Sequence, residues 1–159
     1  MVDKELECIV SVLAGHNANG PVREELPALD LGNGKFKLLI SPGLTLNLAK
    51  SDVISLHDSD SPAEVIKRGG NFAIQIYTDS LEPNVLENLV SNVEERLGGT
   101  KDAFDCGVLV FSVPFSSGLD NIREVFDEFT EASGVAWYYG NIYKNFQDPD
   151  DETLLDWWG

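Results

Sequence analysis

The sequence is poor in the side chains that catalysis and metal binding most often use. Its 159 residues include two cysteines, two histidines and one methionine. Cys8 and Cys106 are too far apart in sequence for a metal-binding knuckle and too few for a disulfide framework. Both fall in or beside predicted strands, so we expect two buried free thiols and a reducing compartment.

Long apolar runs are also missing. The opening stretch MVDKELECIVSVLAG carries acids and only a short apolar run. That run is too short to span a membrane, and the stretch lacks the basic start of a signal peptide. We therefore expect a cytoplasmic protein with no membrane partner.

Basic residues are scarce, since 11 Lys and Arg face 27 Asp and Glu, for a net charge of -16. Such a charge repels nucleic acid and anionic membranes, and it favours fast encounter with a basic protein. With 43% hydrophobic residues, the chain is nevertheless too apolar for intrinsic disorder. The protein should fold and should prefer a cationic protein partner.

The first part of the chain, residues 1–68, has the patterns of an antiparallel strand-rich unit. Cys8 to Ala14 reads as a strand that stops at the loop-rich HNANGP, and Gly32-Asn33-Gly34 separates the two arms of a hairpin. DVISLH and AEVIKR add two short strands. No segment here has a convincing helical period.

The next part, residues 69–145, alternates strands with two helices. The strands are NFAIQIYT, GTKDAF, GVLVFSVP and VAWYYGNI, with a tight turn expected at Asp105-Cys106. Helical spacing predicts one helix in LEPNVLENLVSNVEERLGG and another from Leu119 to Ala132. The order β-α-β-β-α-β predicts a ferredoxin-like unit with both helices on one face of its sheet, and an α+β protein in all. Residues 146–159 form an acidic, aromatic tail.

Several short stretches resemble a known family: LGNGKFKLLISPGLTLNLAKSDVISLH, EVIKRGGNFAIQIYT, DCGVLVFSVP and GVAWYYGNI. Together they are similar to the bacterial family catalogued as domain of unknown function 4265, over roughly Leu31 to Asn145. The chain departs from that family at Arg68-Gly69-Gly70-Asn71, where relatives have Arg-Ser-Gly and then a hydroxyl residue. The resemblance implies a small bacterial cytosolic protein, some relatives of which look like immunity proteins encoded beside secreted toxins.

No segment assembles a catalytic constellation, so we expect no enzyme, no cofactor and no metal. His57-Asp58-Ser59-Asp60 holds the letters of a catalytic triad, but adjacent loop residues point in different directions. The thiolate of Cys106 is disfavoured by the neighbouring Asp105. Asp148, Asp150 and Glu152 alternate like calcium ligands, but they lack the glycine and the distal glutamate of a calcium loop.

Acidic residues near the C-terminus form the candidate partner-binding surface. Glu124, Asp127, Glu128 and Glu131 follow the i, i+3, i+4, i+7 spacing of one helix face, opposite Ile122, Val125, Phe126 and Phe129. The tail adds Asp148, Asp150, Asp151, Glu152, Asp156, Trp157 and Trp158. This surface predicts an immunity protein that neutralises a basic toxin domain, most plausibly a nuclease.

Other interpretations stay open. A ligand-sensing ferredoxin-like module would use Arg68 and the turn at Gly69-Gly70, and a small hydrolase would use His57. The tail has two alternatives: folded back, Trp157 and Trp158 cover an apolar patch of this chain, and extended, they anchor in a partner. A monomer and a dimer are both compatible with the sequence.

Overall fold

The first hairpin shows how the chain begins its larger sheet. In the computed structural model, which describes residues 6–57, 61–144, 148 and 150–158, a twelve-residue strand and a thirteen-residue strand meet at a tight turn. The Asn17 side chain accepts the N–H of Asn19 at 2.8 Å and closes that turn. HNANGP is therefore mostly strand and turn, not the loop that its composition suggested.

Five strands form this first sheet in the order β1-β2-β3-β4-β5, and all neighbours are antiparallel. They are β1 (Leu6–Asn17), β2 (Gly20–Gly32), β3 (Lys35–Leu38), β4 (Val53–Ser55) and β5 (Glu64–Lys67). The hairpin predicted at Gly32-Asn33-Gly34 is confirmed, with positive φ angles at all three residues. Most of β2 was missed, because its prolines and charges are unusual in strands.

Four strands and two helices form the second unit, with sheet order β7-β8-β6-β9. The elements are β6 (Asn71–Tyr77), α1 (Pro83–Asn92), β7 (Thr100–Asp105), β8 (Val108–Pro114), α2 (Leu119–Ser133) and β9 (Tyr138–Tyr139). The α+β class and the ferredoxin-like order are confirmed, since β6 and β8 are central and all pairs are antiparallel.

Two details of this unit differ from the prediction. The first helix widens at its end into a π-turn, Val93–Leu97, before Gly98 stops it with a φ of 67°. The tight turn between β7 and β8 is formed by Cys106 and Gly107, with φ angles of 50° and 80°, one residue later than expected. The last strand keeps only two residues of VAWYYGNI.

Each sheet has its own apolar core. The helices cover one face of the second sheet, where Phe72, Phe111 and Phe126 are fully buried. The core of the first sheet includes Leu48, which lies in the chain between β3 and β4. We call this segment, residues 39–52, the connector. One side of it contacts the core of the first sheet, and the other side contacts the face of the second sheet that the helices leave open.

Candidate partner-binding surface

The second helix has the two faces that its sequence predicts. Its buried face is Ile122, Val125, Phe126 and Phe129, none more than 4% exposed. Its opposite face carries the four predicted acids, Glu124, Asp127, Glu128 and Glu131, all exposed. Because the buried face fixes the rotation of the helix, the carboxylates are held toward solvent as one stripe.

Three of these carboxylates have partners from other elements. Arg96, in the π-turn after α1, lies 3.4 Å from the Glu124 carboxylate and 3.1 Å from that of Glu128. The indole N–H of Trp137 donates to Asp127 at 2.9 Å. Exposed ion pairs of this kind contribute at most about 1 kcal/mol each. Arg96 therefore positions two carboxylates but leaves the stripe acidic, and sequence spacing along one helix could not have revealed it.

Charge is distributed unevenly between the two halves of the sequence. Residues 1–68 hold ten acids and seven bases, whereas residues 69–159 hold 17 acids and four bases. Within the helical segments 83–97 and 119–133, eight acids face two arginines. The helical layer is thus a strongly negative part of the molecule, and a cationic partner will be drawn toward it.

The acidic tail folds back along the chain that precedes it. The N–H of Lys144 donates to the Thr153 carbonyl oxygen at 2.7 Å, and the N–H of Leu155 donates to that of Ile142 at 2.8 Å. The Asp148 and Asp151 side chains accept the N–H groups of Asp150 and Thr153, both at 3.0 Å. Asp148, Asp150, Glu152 and Asp156 are exposed, and Asp151 is partly buried.

Both terminal tryptophans pack on the protein's own core. Their rings lie 4.9 Å (Trp157) and 5.4 Å (Trp158) from the ring of Phe72, and Trp157 donates its indole N–H to the Asn141 carbonyl oxygen at 3.0 Å. The structure therefore takes the folded-back alternative, because two rings left in water would form a large apolar surface. A role of these rings as partner anchors stays a prediction.

Sequence reasoning missed a buried polar layer beneath the connector. The Gln75 side chain donates to the carbonyl oxygens of Pro42 and Thr45 at 3.0 and 3.3 Å. The hydroxyls of Ser41 and Ser112 lie 2.6 Å apart, and Ser112 also donates to Asp102. Glutamine and serine inside a strand were a usable signal, since buried polar groups need partners.

One glutamate of the first sheet holds the outer part of the connector. The Glu24 carboxylate accepts the N–H groups of Gly43 at 2.8 Å, Leu44 at 3.1 Å and Thr45 at 2.9 Å. The Thr45 hydroxyl adds a fourth hydrogen bond at 2.7 Å. Three successive amides around one carboxylate form an anion-binding turn that the chain itself fills. Glu24 thus has a structural role.

Arg68 is hydrogen-bonded to residues of the connector. Its guanidinium donates to the backbone and side-chain oxygens of Asn47 and to Asp52, whose carboxylate is 3.3 Å away. Burial is the main cause that raises the pKa of Asp52 to about 6, against hydrogen bonds from Gly69, Arg68 and Ala49 that lower it. Arg68 thus has partners within the protein, and its role in a ligand-sensing module stays a prediction.

Two candidate catalytic residues among those described, Cys106 and His57, lie at different places in the fold, beside the second sheet and the first. The expectation of two buried thiols is wrong: Cys8 is only partly buried, and Cys106 is exposed because the turn between β7 and β8 projects its side chain outward. The Asp105 carboxylate raises the pKa of this thiol, as the sequence indicated. His57 Nε2 lies 2.7 Å from Glu64, and Asp58, Ser59 and Asp60 lie outside the described residues.

The same described part of the chain lacks a ready cation site and a membrane-spanning helix. It holds no group of three or more His, Cys, Asp or Glu side chains arranged for a metal ion. Neither of its helices combines the length and the apolarity needed to cross a membrane.

Fold and surface together define an α+β protein in which a five-stranded sheet and a ferredoxin-like unit share one connector. The chain belongs to the family described as Domain of unknown function (DUF4265), whose model matches residues 24–138. The resemblance expected from Leu31 to Asn145 is thus confirmed, with both limits nearer the N-terminus.

A solved structure has a similar fold. It is the crystal structure of a hypothetical protein from Neisseria gonorrhoeae, with 17% sequence identity and a TM-score of 0.61, covering 88% of this chain and 96% of that one. No curated protein matches the chain. At this identity the likeness establishes the fold alone.

Proposed function

We propose that the protein is an immunity protein that binds a basic toxin domain, of the nuclease type, and blocks it. The observation that carries the proposal is the exposed stripe of Glu124, Asp127, Glu128 and Glu131 on a helix whose other face is buried. The resemblance of some family members to immunity proteins agrees with it. The proposal places the protein in the cytoplasm, where an incoming toxin would act.

The stripe suits the substrate groove of a nuclease. Such a groove binds phosphates with lysine and arginine, and a row of carboxylates one helical turn apart offers it similar charge. The π-turn's Arg96 restrains Glu124 and Glu128 before any partner arrives. Preformed geometry reduces the side-chain entropy lost on binding.

Charge also suits the speed that neutralisation requires. A toxin must be captured before it acts, and complementary charge raises association rates by factors of roughly 10 to 1,000 at low salt. The 17 acids and four bases of residues 69–159 give the attraction a direction, because the first 68 residues are nearly balanced. The helical layer should meet the partner first.

The test uses the basic protein domain that is encoded next to this protein. That domain is purified and assayed for nuclease activity. One variant changes Glu124, Asp127, Glu128 and Glu131 to the matching amides. Its control changes four exposed acids of the first sheet in the same way, Glu7, Glu25, Asp30 and Glu64. We expect the α2 variant to associate about tenfold or more slowly and the control to change little.

Inhibition of the nuclease and the association rate at rising salt are the two readouts. The proposal predicts that the wild-type association rate falls steeply with salt and that the α2 variant protects poorly. Equal protection by both variants, or the absence of any basic protein that the chain inhibits, would overturn it.

A further inference from the structure

A groove runs between the two helices beside the acidic stripe. One cavity of about 400 Å³ lies between the start of α1 and the end of α2, and a second of about 190 Å³ continues between the helices. Val85 and Ala132 line both cavities, so the two are adjacent, and together we call them the groove. From Val85 to Asn92 the groove follows α1 for about 10 Å, which is two helical turns.

The second cavity has an apolar floor, whereas the first is lined more by polar groups, among them Ser80, Glu82 and Ser133. Leu89 and Phe129 are 3% and 4% exposed and lie at the base of the second cavity, and Leu81 and Val85 pack against the same core from the wall of the groove. Ala132 on the α2 side leaves the groove open because its side chain is small. Apolar side chains from another molecule would lose contact with water here, which is the main source of affinity in such grooves.

The rims of the groove are acidic. Glu82 lines the first cavity and Glu128 lines the second, both exposed to solvent. No lysine, arginine or histidine is among the described residues that line either cavity. The groove therefore combines an apolar floor in its second cavity with Glu82 on one side and Glu128, which is paired with Arg96, on the other.

We propose that this groove binds a cationic amphipathic segment of the partner protein, with its apolar side chains between Val85 and Ala132 and its lysines or arginines against Glu82 and Glu128. This inference rests on the proposed function, because it names the part of the basic domain that the surface receives. Charge complementarity favours a cationic segment of a partner over a second copy of this chain. A second copy of the chain would bring another net charge of -16 to an acidic surface.

The groove is tested with a short helical peptide of regularly spaced leucines among lysines and alanines. The matched peptide has serine at every leucine position and the same charge. We expect the leucine peptide to bind about tenfold or more tightly than the serine peptide. The backbone amide signals of Val85, Asn88 and Ala132 should move on binding.

Ala132→Trp fills the groove without a change of charge. Its control, Ser91→Trp, adds the same ring at an exposed position of α1 that lines neither cavity. We expect Ala132→Trp to weaken the leucine peptide about tenfold or more and Ser91→Trp to have no effect. The proposal would be overturned if both peptides bound equally well or if both variants bound the leucine peptide equally well. It would also be overturned if the amide signals moved only in other elements.

Nuclease inhibition and peptide binding, measured side by side, separate this inference from the proposed function. If Ala132→Trp still inhibits the basic nuclease as well as wild type does, the groove is wrong and the immunity function stands. If no nuclease is inhibited but the leucine peptide binds the groove, the immunity function fails and the groove stands as a binding site for such segments.

Discussion

The Asp52 carboxylate lies 3.3 Å from the Arg68 guanidinium, yet burial still raises the pKa of Asp52 to about 6. The cost of removing this carboxylate from water therefore exceeds the gain from its cationic and amide partners. Both residues belong to the junction of the connector with β5 and β6, so protonation of Asp52 is coupled to the stability of that junction.

The first prediction concerns pH. Because the folded state binds the Asp52 proton more tightly than the unfolded chain does, the resulting stability is full below the unfolded pKa and is lost as pH rises through about 6. Between about pH 7 and about pH 5, wild type should gain about 1 kcal/mol more unfolding free energy than Asp52→Asn. Urea titrations at both pH values check this. Parallel pH curves for the two proteins would contradict it.

The second prediction concerns Gln75, which is 1% exposed. Gln75→Leu removes the donor to Pro42 and Thr45 and should lower the unfolding free energy by about 2 kcal/mol. Gln75→Glu places a carboxylate against the same two carbonyl oxygens and should cost about 3 kcal/mol or more at neutral pH. The destabilisation caused by Gln75→Glu should become smaller in mild acid, because a protonated carboxyl group can donate a hydrogen bond. If Gln75→Glu were as stable as Gln75→Leu at neutral pH, the polar layer would not have the role described.

The third prediction compares two adjacent glutamates of β2. Glu24 accepts four hydrogen bonds from residues 43–45, whereas Glu25 is exposed. Glu24→Ala leaves three amides without their acceptor and should lower the unfolding free energy by about 1 to 3 kcal/mol. Glu25→Ala should stay within about 0.5 kcal/mol of wild type. Hydrogen exchange at Gly43 to Thr45 should speed up only in the first variant. Unchanged exchange there would refute the anchoring role.

The fourth prediction concerns the tail. Trp157→Ala removes a ring packed on Phe72 and Phe115 and should lower the unfolding free energy by about 2 to 3 kcal/mol. Trp157→Phe keeps an aromatic ring and loses the hydrogen bond to Asn141, so it should cost about 1 kcal/mol. Thermal melts give the order. If Trp157→Ala melted like wild type, the tail would not be part of the folded core.

The sequence predicted those features that depend on local pattern. The apolar face of α2 follows from helical periodicity, so Ile122 and Phe126 are buried as expected, and β6 and β8 were predicted as strands. The hairpin turn at Gly34 was found because glycine permits a positive φ, whereas the turn between β7 and β8 lies one residue later than expected. Fold class and strand order followed from these local signals.

Features that depend on distant contacts were not predicted. The connector reads as an irregular loop, and its place is fixed by Gln75, Ser112 and Glu24, which are remote in sequence. Arg96 reaches the stripe from another helix, and the groove exists only where α1 and α2 meet. Periodicity along one element contains no information about its neighbours.

The connector has a consequence for how the molecule comes apart. Leu48 belongs to the first core, and nearby residues of the connector hydrogen-bond to the second sheet. Unfolding of either half would therefore expose to water buried groups of the other half. All three tryptophans lie in the second half, at positions 137, 157 and 158. Tryptophan fluorescence therefore observes one half, and far-ultraviolet circular dichroism observes both. We expect the two signals to change together in a single two-state transition.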